Sequence, residues 1–437
     1  MTRPLDTYFA RLARRQPWRW SGHVLESVGQ TIESAGPPAS VGECCEILDS
    51  AGRAHFAEVI GFRGSNVVSM PLESTSGIRF GDAVLALSRR PEIEVGAALM
   101  GRVFNALGEP IDGAPNPRTS ATMPLDGQVR SPLDRAPIHE PLGTGIRVID
   151  ALLTTGRGQR VGIFGGSGVG KSTLIGMMTR NTEADVTVVG LVGERGREVG
   201  EFLEDALGEE GRARSVVVVS TSDQSPLLRM RAALAATTVA ESFAAEGRHV
   251  LLVLDSLTRF AMAAREIGLA AGEPPTNKGY TPSVFTRLAR LVERTGNFRT
   301  GSITAFYTVL MEGDDQQDPL VDAVRALLDG HVVLSRSLAA EGWYPPVQVL
   351  DSISRLMPAV TEPAHREHAG LLRRLMAVYA RSEDLVRIGA YKPGSDPDLD
   401  RALRARAALR TFLTQDSAES APFAETGRRL AQLAAEV

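Results

Sequence analysis

The chain has 437 residues, 43% of them hydrophobic and 23% charged, and its 48 basic and 52 acidic side chains leave a formal net charge of −4. At about 150 residues per domain that length suits roughly three domains, the composition excludes wholesale disorder, and the charge balance excludes a nucleic-acid binder working by overall positive charge. No apolar run approaches the ~18 residues of a membrane span, and the opening residues do not read as a secretory signal.

In chain order, residues 1–20 carry Leu5, Phe9 and Leu12 at helical spacing among Arg11, Arg14, Arg15 and Arg19. That pattern predicts an N-terminal docking helix for a partner or an anionic surface, set against a frayed terminus with a few packed side chains. Residues 21–95 alternate short β-rich runs, such as His55-Phe-Ala-Glu-Val-Ile60 and Asp82-Ala-Val-Leu-Ala-Leu87, with Gly and Pro, which predicts a small β-barrel. The two cysteines, Cys44 and Cys45, are adjacent. A bridge between neighbours would be strained, so they read as free thiols in a reducing compartment, one facing the barrel core and one the surface. A Pro- and Gly-rich connector follows, from Gly101 to about Pro141.

From about Thr144 to Leu356 the pattern changes. Apolar runs of strand length recur at residues 161–164, 187–192, 215–220, 250–254, 302–309 and 331–334, separated by helix-like stretches rich in Ala, Leu, Arg and Glu. Several runs are apolar throughout, as in a sheet buried on both faces, so an α/β domain with a mostly parallel sheet is expected over residues 96–362. After Pro363 three apolar stripes at helical spacing predict a helical domain over residues 363–437.

The strongest motif is Gly165-Gly-Ser-Gly-Val-Gly-Lys-Ser172, which fits G-x-x-x-x-G-K-[ST] between a strand-like run and a helix-like run. Glycines let the backbone fold into a concavity whose N–H groups meet phosphate oxygens, and the helix that follows adds its positive end. The chain holds only three lysines, Lys171, Lys278 and Lys392, and one of them stands where the motif requires it. The reading assigns Gly165, Gly166, Ser167, Gly168, Val169, Gly170, Lys171, Ser172 and Thr173 to nucleotide binding. Lys171 reaches the β and γ phosphates, and the Ser172 hydroxyl ligates Mg²⁺. Val250-Leu-Leu-Val-Leu-Asp255 is a buried strand ending in a carboxylate, which would hold the same Mg²⁺ shell. Gly193-Glu-Arg-Gly-Arg-Glu198 follows another strand. Glu194, first off it, is the candidate to orient the attacking water, with Glu198 as competitor. Arg355, in Ser352-Ile-Ser-Arg355, is either a finger acting on another subunit or a surface arginine, and spacing alone favours the latter. His365 and His368 sit three apart on a helix without an evident third ligand, which is weak support for a metal site.

Gly193-Glu-Arg-Gly-Arg-Glu-Val199 together with the phosphate loop resembles the catalytic subunits of rotary ATPases, and more closely the ATPases of bacterial type III protein export. The connector Gly101-Arg-Val-Phe-Asn-Ala-Leu-Gly-Glu-Pro-Ile-Asp-Gly113, the lead-in Pro141-Leu-Gly-Thr-Gly-Ile-Arg-Val-Ile-Asp150, and the segments Pro274–Phe285, Glu312-Gly-Asp-Asp315, Leu328–His331 and Gly389–Asp396 carry the same resemblance, over about residues 20–412. It implies a RecA-like P-loop core with an N-terminal barrel and a C-terminal helical domain. It implies a homohexamer hydrolysing Mg-ATP at subunit interfaces to release or unfold export substrates held by chaperones. Arg355 matches the position of the arginine finger that enters a neighbour's site, and Tyr344 matches an aromatic near adenine. The implied partners are a stator-like regulatory protein at the N-terminal helix, export chaperones and substrates, and an export gate. The implied place is the cytoplasmic face of the inner membrane, with the flagellar system expected as the commoner case. Gln348 stands where the family has Asp, Asn or His, and Gln316-Gln-Asp-Pro319 replaces the usual Met-Asn-Glu-Pro.

Three other readings compete. A hexameric nucleic-acid translocase could share the core, but the barrel offers few aromatics for base stacking, Phe56 and Phe62, and no dense basic tract, so no nucleic acid is expected. A nucleotide-binding subunit without activity is opposed by Glu194. A rotary ATP synthase subunit usually has Thr where Gly196 stands.

Overall fold

The computed structural model describes residues 19–119, 121–311 and 318–437. The docking helix expected over residues 1–20 lies outside the described residues except for Arg19 and Trp20, as does Glu312-Gly-Asp-Asp315.

Six strands, Ser21–Val28, Thr31–Ala35, Cys44–Leu48, Ala54–Arg63, Asn66–Pro71 and Ala83–Ala86, close into an antiparallel barrel. Alternation explains the closure: Val24, Ile32, Cys45, Ile47, Ala57 and Val84 turn inward and make a small apolar core, and closing the ring leaves no exposed edge. Cys45 belongs to that core, while Cys44 faces out and lies half-buried, 3.7 Å from an Arg231 nitrogen. Arg231 also pairs with Glu58 at 2.7 Å, and Ser225 donates to the Leu72 carbonyl at 2.8 Å, so the barrel is fastened to the next domain through buried polar contacts.

The larger domain is a nine-stranded sheet. Its path runs Ile353–Ser354, Gly330–Val333, Arg160–Gly165, Ser302–Leu310, His249–Asp255, Val186–Glu194, Ser215–Thr221 and Val103–Asn105, and Gly296–Asn297 pairs beside Ser302–Leu310. All pairings along this path are parallel except that of Ile353–Ser354. Neighbouring residues of one strand serve opposite faces. Val188, Leu252 and Tyr307 join a core under the helices Pro226–Ala245, Leu257–Ala270 and Pro282–Glu293. Val189, Leu251 and Phe306 join a core under Arg147–Leu152, Lys171–Asn181 and the C-terminal helices. That double burial is why these runs are apolar throughout.

The connector contains more structure than its composition suggests. Val103–Asn105 adds a parallel edge strand beside Ser215–Thr221. Asp112 makes this possible: it takes the Arg102 guanidinium at 2.7 and 2.9 Å and the Val103 N–H at 3.1 Å. Beyond the barrel, Glu92–Val95 pairs with Ala121–Pro124.

The chain ends in three helices, Pro363–Arg387, Pro397–Leu413 and Phe423–Glu436. Proline in the first turn suits the first two, where its missing N–H has no partner to lose, and Asp396 caps the second through the Asp398 and Leu399 N–H groups. Leu372, Leu375, Leu409, Phe412, Leu430 and Leu433 bury their stripes against the face that carries the phosphate-loop helix.

Candidate nucleotide-binding and catalytic site

The parallel strands Arg160–Gly165, His249–Asp255 and Val186–Glu194 end on one edge of the sheet, the place where open α/β sheets gather their chemistry. Residues 165–170 loop from the first of these into the helix Lys171–Asn181. Gly168 and Gly170 take φ of +76° and +90°, which favours glycine, and a Cβ on Gly165 would lie 3.1 Å from Leu334 and Val169. Lys171 folds back over the loop, its Nζ donating to the Gly165 carbonyl at 3.3 Å. Burial pulls the Lys171 ammonium below its ordinary pKa, opposed by the attraction of Asp255 and Glu194. Ser172 and Thr173 are exposed in the helix's first turn.

Asp255 ends its strand buried, and the Thr308 hydroxyl of the adjacent strand donates to its Oδ1 at 2.6 Å. Burial raises its pKa, against the Thr308 hydrogen bond and the Lys171 charge. Glu194 lies next to it. Burial, reinforced by the negative charge of Asp255 and by Glu198, pushes Glu194 up to about 8. Glu198 shares a hydrogen bond with Glu194, and with Arg195 at 2.9 Å it sits below its usual value. The proton common to the two carboxyls therefore rests on Glu194, the more buried one. A carboxyl poised near the working pH is suited to exchanging a proton with water.

Arg259 carries no sequence signal, yet it stands in this cluster. It lies in the first turn of Leu257–Ala270, and a Cβ on Gly193 would press on its stem at 3.1–3.4 Å. Its Nε is buried without a hydrogen-bond partner among the described residues. A buried guanidinium nitrogen left open at the mouth of a phosphate loop fits a bound anion.

Beside the loop is a cavity of about 500 Å³ lined by Gly170, Thr173, Met177, Tyr344, Pro345 and Asp416, among others. Tyr344 faces Gly170, 3.8 Å from where a Cβ would stand. The opposite wall, Thr414 to Ser417, comes from the chain after the second C-terminal helix. Gln415 holds that wall. Its Oε1 accepts from the Arg147 N–H at 2.8 Å, and its Nε2 donates to the Gly145 and Glu419 carbonyls at 2.8 and 2.9 Å. Arg147 in turn donates to the Phe412 and Thr414 carbonyls at 2.7 and 3.0 Å.

Arg355 is not part of this cluster. Its N–H donates to the Asp329 carbonyl at 3.0 Å, and the Asp329 N–H donates to the carbonyl of Arg160, the first residue of the phosphate-loop strand. A strand of that length, about 3.3 Å per residue, separates it from the loop by about 16 Å, so it is exposed at the opposite end of the sheet. The segment is nonetheless rigidly held. Ser352 Oγ donates to the Gln348 carbonyl at 2.6 Å and accepts from the Val333 N–H at 2.9 Å, and Ser354 Oγ donates to the Thr154 carbonyl at 2.8 Å. Gln348 thus serves through its main chain, which any side chain at that position supplies. His365 is engaged with the Ala151 carbonyl at 2.9 Å and stacks on Phe423.

Comparison with known proteins follows this anatomy. The nucleotide-binding domain of the ATP synthase alpha/beta family matches residues 145–354, that family's beta-barrel domain residues 24–87, and the T3SS EscN ATPase C-terminal domain residues 361–432. A flagellum-specific ATP synthase of Pseudomonas aeruginosa is 52% identical over 419 residues, spanning 95% of this chain and 93% of that protein. The chain belongs to the ATP synthase alpha/beta family, in its flagellar and type III secretion ATPase branch. A type 3 secretion system ATPase of Xanthomonas euvesicatoria is 47% identical over 424 residues, spanning 97% of this export ATPase and 96% of its relative. Among solved structures, the assembled ATPase EscN of enteropathogenic E. coli superposes with a TM-score of 0.90 at 42% identity, covering 94% of this chain and all of that one. The same ATPase in complex with its central stalk EscO gives 0.87 at 40% identity, again over 94% and 100% of the two chains. The RecA-like core, the barrel and the C-terminal helices of this export ATPase are those of the family, and its activity is ATP hydrolysis. Among its described residues no helix is long and apolar enough to cross a membrane.

Proposed function

We propose that this export ATPase binds Mg-ATP on the phosphate loop of residues 165–173, with the base in the cavity between Tyr344 and the Thr414–Ser417 wall, and hydrolyses it at the interfaces of a homohexamer to drive type III protein export. The observation that carries this reading is the convergence of Lys171, Asp255, Glu194 and the unpartnered Arg259 nitrogen around one open phosphate cradle.

The site suits a cation that travels with the triphosphate. The Ser172 hydroxyl and the Asp255 carboxylate stand at the cradle, while no group of three or more His, Cys, Asp or Glu forms a cage among the described residues. Bound there, Mg²⁺ would neutralise phosphate charge. The protein's own groups do the rest. Main-chain N–H groups and Lys171 fix the β and γ phosphates. Arg259 offers its open nitrogen to the transferring phosphoryl group. Glu194 passes the shared proton to Glu198 and, so ionised, orients a water in line and takes its proton. Arg355 cannot reach its own chain's cradle, so its place in the chemistry is the neighbouring subunit's site, where such a finger is worth about 10³–10⁵ in turnover. The assembled relative and its stalk complex support self-association and a regulatory stalk partner. The flagellum-specific relatives support the flagellar branch. Chaperone-bound substrates and an export gate at the inner membrane complete the proposed setting.

The direct test is Glu194→Gln. The variant should bind ATP with near-native affinity while turnover falls by about 10²–10⁴-fold, the usual worth of a positioned base. A near-native rate would transfer the role to Glu198.

A further inference from the structure

A second cavity, of about 780 Å³, opens between the barrel and the α/β core and shares no lining residue with the nucleotide cavity. Its size is that of a small-molecule site, about 300–1,000 Å³. The walls come from the barrel around Glu58, from residues 125–129, and from the helices Pro226–Ala245 and Pro282–Glu293.

Five arginines line it: Arg90, Arg231, Arg287, Arg290 and Arg294. Three are matched. Arg90 pairs with Asp126 at 2.5 Å, and Arg231 with Glu58 at 2.7 Å. Arg294 pairs with Glu241 at 2.6 Å and spends its remaining donors on Leu125 and Thr238. Arg287 and Arg290 are different. Among the described residues neither has an ion-pair partner, and the hydrogen bond Arg287 makes is to the Met230 sulfur at 3.1 Å. Burial pulls the Arg287 pKa down, with Glu58 and Glu273 attracting and Arg290 repelling from a distance.

Spacing makes the arrangement more pointed. Arg287, Arg290 and Arg294 fall at i, i+3 and i+7, one stripe along Pro282–Glu293 and its end. Two like charges one turn apart repel, and a partly desolvated cation without an ion-pair contact is unfavourable. An anion entering the cavity relieves both. Paired guanidinium forks match phosphate oxygens bidentately, and the carboxylates of the wall, Asp126 and Glu58, are already taken by Arg90 and Arg231. Met230 and Leu234 leave an apolar strip beside them. We infer that this cavity is a second ligand site, in which Arg287 and Arg290 grip the phosphate of a small phosphorylated molecule whose organic body lies on Met230 and Leu234. Because its walls belong to both barrel and core, occupancy fixes one domain on the other.

Calorimetric titration of the full chain with pyrophosphate in magnesium-free buffer tests this. The Lys171→Ala background weakens phosphate binding at the loop. One saturable site per chain should remain there. Adding Arg290→Gln, whose side chain is exposed and so puts the fold at little risk, should weaken that site by about tenfold or more, as loss of a charge-assisted bond implies. Arg287→Gln with Arg290→Gln should remove it, while Arg290→Lys, which keeps the charge, should fall between. Absence of saturable binding in Lys171→Ala, or indifference to Arg290→Gln, overturns the inference. Neither outcome touches the phosphate-loop reading, which is judged by ATP binding to chains that differ at Lys171 alone.

Discussion

Lys171 and Asp255 show how far a single residue's role follows from its strand. Asp255 ends its strand and Lys171 opens the helix beyond the loop that leaves another, and parallel pairing brings those strand ends together: Gly165 pairs with Leu310, and Leu191 with Asp255. Lys171→Ala should therefore lose tight Mg-ATP binding, measured by equilibrium titration, rather than merely slow turnover. Unchanged affinity would remove the phosphate loop from the account. Lys171, Asp255 and Glu194 were legible in the sequence because each follows an apolar run at a spacing that phosphate chemistry requires. Arg259 was not. A helical arginine has no spacing rule, and only the approach of Gly193 to its stem shows where it points. Arg259→Ala should reduce turnover by about 10²-fold or more, since a preorganised donor at developing charge is worth that much, with ATP affinity changed less. A loss confined to affinity would make it a binding residue.

Among the elements, the strands of the barrel and sheet were readable from period and apolar runs, and the helices after Pro363 from their stripes. Val103–Asn105 was hidden because three residues carry no periodicity and its pairing depends on Asp112, nine residues further on. Asp112 also gives the fold a pH dependence. The Arg102 guanidinium, with the Val103 and Ala114 N–H groups, holds its carboxyl well below the usual carboxylate range, so the unfolded chain binds the proton more readily. The stabilisation is full above about pH 4–5, where an unfolded carboxyl is ionised, and is lost as the pH falls toward the folded value. Asp112→Asn should lower the melting temperature by a few degrees at pH 7, and the gap should narrow steadily in acid. A gap independent of pH would mean the contribution is packing and not charge. The wall at Thr414 to Ser417 was invisible for another reason. Gln415 and Arg147 are 268 residues apart, and no local pattern announces such a contact. Gln415→Ala removes three buried hydrogen bonds that hold the wall in place. It should raise KM for ATP by about tenfold with kcat within about threefold, because the phosphates are held elsewhere. A fall in kcat at constant KM would contradict that division.

At the scale of the whole molecule, the sheet has two working ends. One carries the cradle, and the other carries Arg355 on a segment pinned by Ser352, Ser354 and Gln348. A monomer separates these groups by the length of a strand, so on the proposed mechanism it binds nucleotide alone but needs a neighbour to turn it over. In the ring we propose, closure would join one chain's cradle to the next chain's Arg355, the heterologous contact that cyclic assemblies repeat. The most direct measurement is ATPase activity in mixtures of two inactive variants, Arg355→Ala and Glu194→Gln, across a range of ratios. In a random 1:1 ring, about one interface in four unites an intact Glu194 with an intact Arg355, so activity should rise to roughly a quarter of the native rate. Activity that stays at the level of the separate variants at every ratio, while both still assemble, would contradict a site shared between subunits.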